Sequence, residues 1–235
     1  MYVILLFSRG ITNLYYASLI GKPKFILEHY FTMKLILITF CIATALLSCE
    51  KPKIKSIDTN NSRDSLTYQP KVAGSLWTYN RIAAGGLSNV NYNFIRLSTD
   101  TLFAGKSFNT YSNEADGTQY LRQDADKYYQ ILTASTNKPE LLVLDVLKNV
   151  GESWVGGVNG SDTYTYTMKQ KLPVYTLDGF TFKNTLVVQQ VRTNSSGSIT
   201  LNVDTYYAQG VGVVKTVGTI SGIGLTVKLI TLNLK

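Results

Sequence analysis

The 235-residue sequence predicts an all-β protein. From Val72 onward, apolar and polar residues alternate with a period of two, Gly, Asn and Asp recur between the alternating stretches, and apolar residues nowhere follow helical spacing. We expect about ten antiparallel strands in a strongly curved sheet, arranged as a half-open barrel or a sandwich. Residues 71–235 form this single antiparallel β domain.

The alternation shows which face of each strand is buried. In residues 163–168, threonine alternates with tyrosine and methionine, and in residues 89–94 asparagine alternates with valine and aromatic residues. This pattern is typical of antiparallel strands that have one face on a core and one in water. In the last strand the apolar phase changes near Leu229-Ile230, which predicts a β-bulge there.

Turn residues separate the predicted strands, because Gly, Asn and Asp accept positive φ or bond their own backbone. One of the predicted hairpins carries Arg122 on one arm and Tyr128-Tyr129 on the other. The turn signals are Gly85-Gly86, Asp116-Gly117, Asp126-Lys127, Asp178-Gly179, Asn194-Ser195-Ser196-Gly197 and Ser221-Gly222-Ile223-Gly224.

Residues 33–48 have the features of a lipoprotein signal peptide. Met33-Lys34 gives a positive start, an apolar run follows, and Leu46-Leu47-Ser48-Cys49 resembles the lipobox of bacterial lipoproteins. The run of about 13 residues is shorter than the about 20 of a membrane span. The resemblance implies cleavage before Cys49 and a lipid anchor on its thiol. The alternative is an ordinary buried or secreted cysteine.

The segments on either side of this signal peptide have separate interpretations. Residues 1–32 fit no part of it, and we interpret them as upstream sequence translated from a wrong start, the alternative being a genuine amino-terminal helix. Residues 49–70 are too polar to fold alone and form a flexible tether. A tether of this length holds the domain about 25 Å from the lipid on average.

Composition excludes many activities. Without residues 1–48, the 23 basic and 15 acidic residues become 19 and 14, a net charge of +5 with no basic and aromatic cluster for nucleic acid. His29 and Cys41 lie in the removed part, so no histidine or free thiol remains for catalysis or zinc. We therefore expect no catalytic residue, cofactor or metal. A carboxylate pair acting as acid and base stays open, whereas the spacing of Glu114, Asp116, Asp124 and Asp126 differs from a calcium loop.

Aromatic residues are the candidate ligand-binding groups, since twelve tyrosines and both tryptophans lie after Cys49. The alternative is that they are ordinary strand residues, because β-sheets favour aromatic side chains. We expect Trp154 to fill the sheet interior. The candidates are Trp77, Tyr79, Tyr92, Tyr164, Tyr166, Tyr206 and Tyr207.

The stretch Tyr-Tyr-Ala-Gln-Gly-Val-Gly-Val-Val-Lys, residues 206–215, resembles a motif of Bacteroidota-type outer-membrane lipoproteins of uncharacterised function. Residues 74–79, 151–154 and 180–188 resemble other segments of that family, in the same order. The resemblance implies a curved antiparallel sheet similar to lipoprotein-carrier folds, and no reaction. Within the motif, Gly210 marks a turn and Gly212 a position where a side chain would obstruct packing. Alternatively, its two tyrosines line a ligand groove.

The sequence is compatible with three functions. The first is a non-catalytic envelope lipoprotein whose β domain binds an apolar or envelope-derived ligand, or a partner. The second is a structural or interaction lipoprotein without a cavity, and the third is a glycan-binding module. Residues after Cys49 are basic, whereas surface-export signals of the resembling family tend to be acidic. We therefore expect an outer-membrane anchor with the domain facing the periplasm.

Overall fold

The computed structural model describes residues 55–56, 67–86, 88–133 and 138–235. These residues form thirteen strands and one 3₁₀ turn at Ala84–Gly86. The strands are β1 (Lys55–Ser56), β2 (Leu76–Ala83), β3 (Ser88–Phe103), β4 (Lys106–Asn113), β5 (Gly117–Asp124), β6 (Lys127–Ile131), β7 (Glu140–Asp145), β8 (Ser153–Asn159), β9 (Asp162–Leu177), β10 (Phe180–Thr193), β11 (Ile199–Ala208), β12 (Gly212–Ile220) and β13 (Ile223–Asn233).

Twelve of the strands form one antiparallel sheet in the order β7-β6-β5-β4-β3-β2-β13-β12-β11-β10-β9-β8. Strands adjacent in this order are adjacent along the chain, except that β2 pairs with β13. The predicted all-β fold is confirmed, and the sheet is a nearly closed barrel. The strand number exceeds the expected ten because the turns at Ala104-Gly105 and Gly160-Ser161 were not among the predicted turn signals.

The two end strands of the sheet, β7 and β8, approach each other without forming a ladder. The indole N–H of Trp154 donates a hydrogen bond to the Leu142 carbonyl across this gap, at 2.9 Å. Gly156 lies beside it, and a Cβ there would be 2.6 Å from the Leu142 oxygen and 2.3 Å from a ring carbon of Tyr166. Glycine is therefore required where the two edges come closest.

Local predictions about the strands are also confirmed. The pairing of β13 with β2 shifts between Leu229 and Thr231, at the predicted bulge. Arg122 on β5 pairs with Tyr129 on β6, and its guanidinium carbon lies 4.2 Å from the centre of that ring. A further register shift on β3, between residues 96 and 100, is braced by Arg96, which is buried and donates to Asp100 at 2.5 Å.

Buried side chains form two clusters inside the sheet. The first cluster lies on β6 to β10 and contains Tyr128, Leu141, Leu144, Trp154, Tyr164, Tyr166, Met168, Leu186 and Val188, among others. The second cluster is centred on β2 to β4, β12 and β13, and contains Trp77, Tyr79, Tyr92, Tyr111, Val211, Val214, Val227 and Leu229, among others. The predicted inward faces of β9 and β3 thus belong to different parts of the core.

The segment that precedes β2, residues 67–70, is buried. The tether was predicted to extend to residue 70, whereas Thr67, Tyr68 and Gln69 are each at most 8% exposed. Composition could not show this, because the segment is held mainly by hydrogen bonds from distant strands. We call residues 67–70 the strap. Further upstream, β1 pairs in parallel with Phe180 and Thr181 of β10.

The remaining predictions for the amino-terminal part lie outside the described residues. These are the upstream segment at residues 1–32, the signal peptide at residues 33–48 and the lipidated Cys49. Among the residues that are described, none belongs to a helix of the length and apolar character needed to cross a membrane.

Candidate ligand cavity

A half-open cavity of about 260 Å³ lies inside the sheet. The strap forms part of its wall, and the remaining lining comes from β2 to β7 with their turns and from the region between β11 and β13. Aromatic rings dominate this lining. They belong to Tyr68, Trp77, Tyr79, Tyr92, Phe94, Tyr111, Tyr128, Tyr129 and Tyr207.

Tyrosine hydroxyls on two different strands hold the strap against the cavity. The Tyr111 hydroxyl donates to the Pro70 carbonyl at 2.8 Å and accepts from the Gln69 amide at 3.1 Å. The Tyr128 hydroxyl accepts a hydrogen bond from the backbone N–H of Tyr68 at 3.0 Å. These polar groups of the strap are thus paired within the protein, which lowers the cost of burying them.

The predicted lipoprotein motif at residues 206–215 holds the other side of the strap. Gly210 has φ of 74° and donates its backbone N–H to the Thr67 carbonyl at 2.6 Å. A Cβ at Gly212 would lie 3.4 Å from the Pro70 ring, and φ there is 94°. A Cβ at Gly212 would therefore make only an ordinary contact with the strap, so the predicted obstruction of packing is not found, and glycine is favoured there by its positive φ.

Two aromatic side chains of the cavity wall reach across to the same motif. The Trp77 indole N–H donates to the Val211 carbonyl at 2.7 Å, and the Tyr79 hydroxyl donates to the Val213 carbonyl at 2.7 Å. Burial, followed by the proximity of Tyr92, raises the pKa of Tyr79 well above its usual value. The polar atoms of Trp77 and Tyr79 are thus satisfied by backbone, so these residues contribute mainly apolar ring surface to the cavity.

The opening of the cavity carries a charged pair. Arg81 on β2 donates to the carboxylate of Asp116, which lies in the turn between β4 and β5. The guanidinium carbon of Arg81 also lies 5.0 Å from the centre of the Tyr92 ring. Burial disfavours the charge on Arg81, but the hydrogen bond and charge of Asp116 outweigh it and raise the pKa of Arg81. The guanidinium is therefore fixed and charged.

The seven predicted ligand-binding aromatics fall into three places. Trp77, Tyr79, Tyr92 and Tyr207 line the cavity. Burial, the largest cause, raises the pKa of Tyr207, so its phenol stays neutral. Tyr164, Tyr166 and Tyr206 are not part of this lining.

Tyr164 and Tyr166 belong to the filled cluster on β6 to β10. Tyr166 is 1% exposed, and its ring stacks on Trp154 with 5.7 Å between the ring centres. The Tyr166 hydroxyl is buried without a hydrogen-bond partner among the described residues, and burial raises its pKa. Trp154 itself is 9% exposed, which confirms the expectation that it fills the interior.

Tyr206 is partly buried and packs against the second cluster, and the pairing of β11 with β12 shifts between Tyr206 and Tyr207. Its ring centre is 5.0 Å from that of Tyr175 on β9, and the Lys215 amine lies 5.2 Å from it. Burial raises the pKa of Tyr175 to about 12, with a smaller contribution from Tyr206. Of the two tyrosines of the motif, Tyr207 lines the cavity and Tyr206 does not.

The candidate residues predicted from the sequence include neither the strap, nor the three side chains Gln69, Tyr111 and Tyr128 that make its contacts, nor Arg81 at the opening of the cavity. Arg81 could have been found, because it follows Trp77 and Tyr79 at a spacing of two and so shares their face. Gln69 could not, because it precedes the first strand. Tyr111 and Tyr128 were recognisable as strand residues, but nothing in their local sequence indicates that their hydroxyls meet the strap.

The described residues contain no group of three or more His, Cys, Asp or Glu side chains placed to hold a metal ion. Three of the four acidic residues of the β4–β5 and β5–β6 hairpins have other partners, and one of these is Asp116, which pairs with Arg81. Glu114 accepts from the Asn93 backbone N–H at 2.7 Å, and Asp124 pairs with Arg122 at 3.3 Å. These carboxylates thus stabilise the hairpins.

No protein-family model matches the chain, and no curated protein matches its sequence. Crystal structures that are similar to it in three dimensions include one from Bacteroides fragilis and one from Parabacteroides distasonis. One is a protein from Bacteroides fragilis, provisionally described as exported and with a YmcC-like fold, with 10% identity, a TM-score of 0.42, and coverage of 70% of this chain and 97% of the other. The second is a provisionally described lipoprotein from Parabacteroides distasonis, with 12% identity, a TM-score of 0.41, and coverage of 73% and 100%.

Proposed function

We propose that this protein is a non-catalytic lipoprotein, anchored through Cys49 in the outer membrane and facing the periplasm, whose β domain binds an apolar ligand. The signal-peptide pattern at residues 33–48 supports the anchor, and the basic residues after Cys49 support the periplasmic face. One structural observation supports ligand binding: the aromatic cavity of about 260 Å³ between the strap and the sheet. Ligand pockets are typically concave and mainly apolar, with a few placed polar groups.

The open side of the cavity leaves its aromatic rings accessible to water. An apolar ligand that covers these rings removes apolar surface from water, which favours binding by about 25 cal/mol per Å² of that surface.

The cavity also favours ligand binding over the two other functions. A structural lipoprotein without a cavity would have a filled interior, as the cluster around Tyr166 has. A glycan-binding module would present aromatic rings side by side on an exposed face. Trp77, Tyr79 and Tyr92 are instead at most 8% exposed and turn inward.

The two tryptophans of the chain provide a direct test, because Trp77 lines the cavity and Trp154 does not. A Trp154→Phe chain emits from Trp77 alone, and a Trp77→Phe chain emits from Trp154 alone. The full chain is purified from the membrane fraction into amphipol, where its intact mass reports acyl chains on Cys49. Each variant is then titrated with ω-bromodecanol, whose bromine quenches indole fluorescence on contact.

We expect saturable quenching of Trp77 and none of Trp154 over the same concentration range. The Trp77→Phe chain controls for bromodecanol that dissolves in the amphipol, since that pool is the same for both variants. Equal quenching of the two tryptophans, or a linear response without saturation at Trp77, would exclude the cavity as the binding site. A mass without acyl chains would remove the anchor from the proposal and leave the cavity untouched.

A further inference from the structure

The cavity has a chemically distinct opening. Trp77, Tyr79 and Arg81 follow one another at every second position of β2 and so share its inner face. Trp77 is 2% and Tyr79 is 6% exposed, whereas the Arg81 side chain is 25% exposed. The strand thus leads from a closed aromatic end to a cationic opening.

Arg81 is the one basic residue among the described residues that line the cavity. One of its terminal nitrogens donates to Asp116, but its Nε is buried and has no hydrogen-bond acceptor among the described residues. The Nε is therefore closed to a ligand, but the Arg81 side chain as a whole is 25% exposed. Terminal N–H groups of its guanidinium thus remain for an oxygen of whatever occupies the cavity.

We infer that the ligand is a single-chain amphiphile with a carboxylate end group, whose oxygen accepts from Arg81 while its chain extends toward Trp77. This inference rests on the proposed function. A guanidinium suits a carboxylate because its donors lie in a fixed plane and its charge persists at all physiological pH values. Here Tyr92 and Asp116 hold that plane in place. A hydrogen bond between two charged groups is also stronger than a neutral one.

The size of the cavity limits how much of a ligand it can enclose. A cavity of about 260 Å³ lies just below the range of about 300–1,000 Å³ that is typical of small-molecule sites, so it suits one chain of medium length better than a long diacyl lipid. ω-Bromodecanoic acid is therefore a suitable probe, and ω-bromodecanol is its neutral counterpart of nearly equal shape.

A substitution of Asp116 should change the affinity for a carboxylate ligand in the direction opposite to a substitution of Arg81. Its carboxylate shares Arg81 with the ligand and repels a second carboxylate, although its side chain is 44% exposed and partly screened by water. Asp116→Asn removes the repulsion and keeps the shape of the turn. Arg81→Met removes the charge and keeps much of the apolar stem. If the Arg81–Asp116 ion pair only stabilises the fold, both substitutions should change the affinity for the acid and for the alcohol in the same direction.

The test measures quenching of Trp77 by both probes in the Trp154→Phe chain at neutral pH. We expect the acid to bind more tightly than the alcohol. Arg81→Met should weaken binding of the acid by roughly tenfold, which corresponds to the loss of one charge-assisted hydrogen bond. Asp116→Asn should strengthen binding of the acid, and both changes should alter the affinity for the alcohol less than the affinity for the acid.

The outcomes separate the inference from the function on which it rests. Equal affinity for acid and alcohol, or equal weakening of both by Arg81→Met, overturns the carboxylate inference and leaves the apolar cavity in place. Weaker acid binding in the Asp116→Asn chain also overturns it, and this variant gives an answer even if Arg81→Met does not fold. Saturable quenching by neither probe overturns the proposed function itself.

Discussion

The hydrogen bonds of Tyr111 to the strap lead to a quantitative prediction. Tyr111→Phe keeps the ring in place and removes the hydroxyl that donates to Pro70 and accepts from Gln69. The Pro70 carbonyl then lies buried without a donor. An unsatisfied buried polar group costs about 1–3 kcal/mol, so we expect the free energy of unfolding to fall by about that amount.

Tyr120→Phe is the matched control for this change. Tyr120 lies on the neighbouring strand β5, packs its ring against Phe103 with 4.8 Å between the ring centres, and has no hydroxyl hydrogen bond among the described residues. Its loss should change the free energy of unfolding by less than about 0.5 kcal/mol. Urea unfolding measures both variants under the same conditions.

Hydrogen exchange identifies the place of the effect. In Tyr111→Phe, the backbone N–H of Tyr68 should exchange faster, because the strap detaches more easily from the sheet. The amides in the centres of β11 and β12 should change only in proportion to global stability. The reasoning is refuted if Tyr111→Phe and Tyr120→Phe are equally stable, or if Tyr111→Phe is destabilised without faster exchange at Tyr68.

Two further predictions concern the gap between β7 and β8 and the stability of the fold at alkaline pH. Gly156→Ala should destabilise the fold by about 1–3 kcal/mol in urea unfolding, since its Cβ would clash with the Leu142 carbonyl. The control is Gly160→Ala, whose Cβ would have no neighbour within 4 Å; because φ is 59° there, it should cost only about 1 kcal/mol. Equal costs for the two variants would contradict the clash. Burial, with a smaller effect of Tyr128, raises the pKa of Tyr68 to about 12, so stability is complete below the unfolded pKa of 10 and falls as the pH approaches 12. In urea unfolding, Tyr68→Phe should reduce the fall in the free energy of unfolding between pH 10 and pH 12 by up to about 3 kcal/mol. The same fall in the variant as in the original chain would contradict the raised pKa.

The sequence predicts which strand faces turn inward, but not which inward residues line a cavity. Tyr79 and Tyr164 follow the same period-two rule, yet Tyr79 borders the cavity and Tyr164 lies in the filled cluster. The difference depends on what meets each ring across the interior, which local alternation does not contain. The strap shows the same limit, since its hydrogen bonds to Tyr111 and Tyr128 join residues about 40 to 60 positions apart.

The number of strands explains why this interior contains both a strap and a cavity. Side chains just fill a barrel of about eight strands, and the interior widens as strands are added. A twelve-stranded sheet therefore needs large inward side chains, which accounts for its tyrosines, and it still has room for residues 67–70. The space that remains differs from a random packing defect in one respect. Its rings are turned inward by hydrogen bonds to the carbonyls of Val211 and Val213, while Arg81 presents a partly exposed guanidinium at the opening. Apolar surface at one end and a cationic group at the other match an amphiphile.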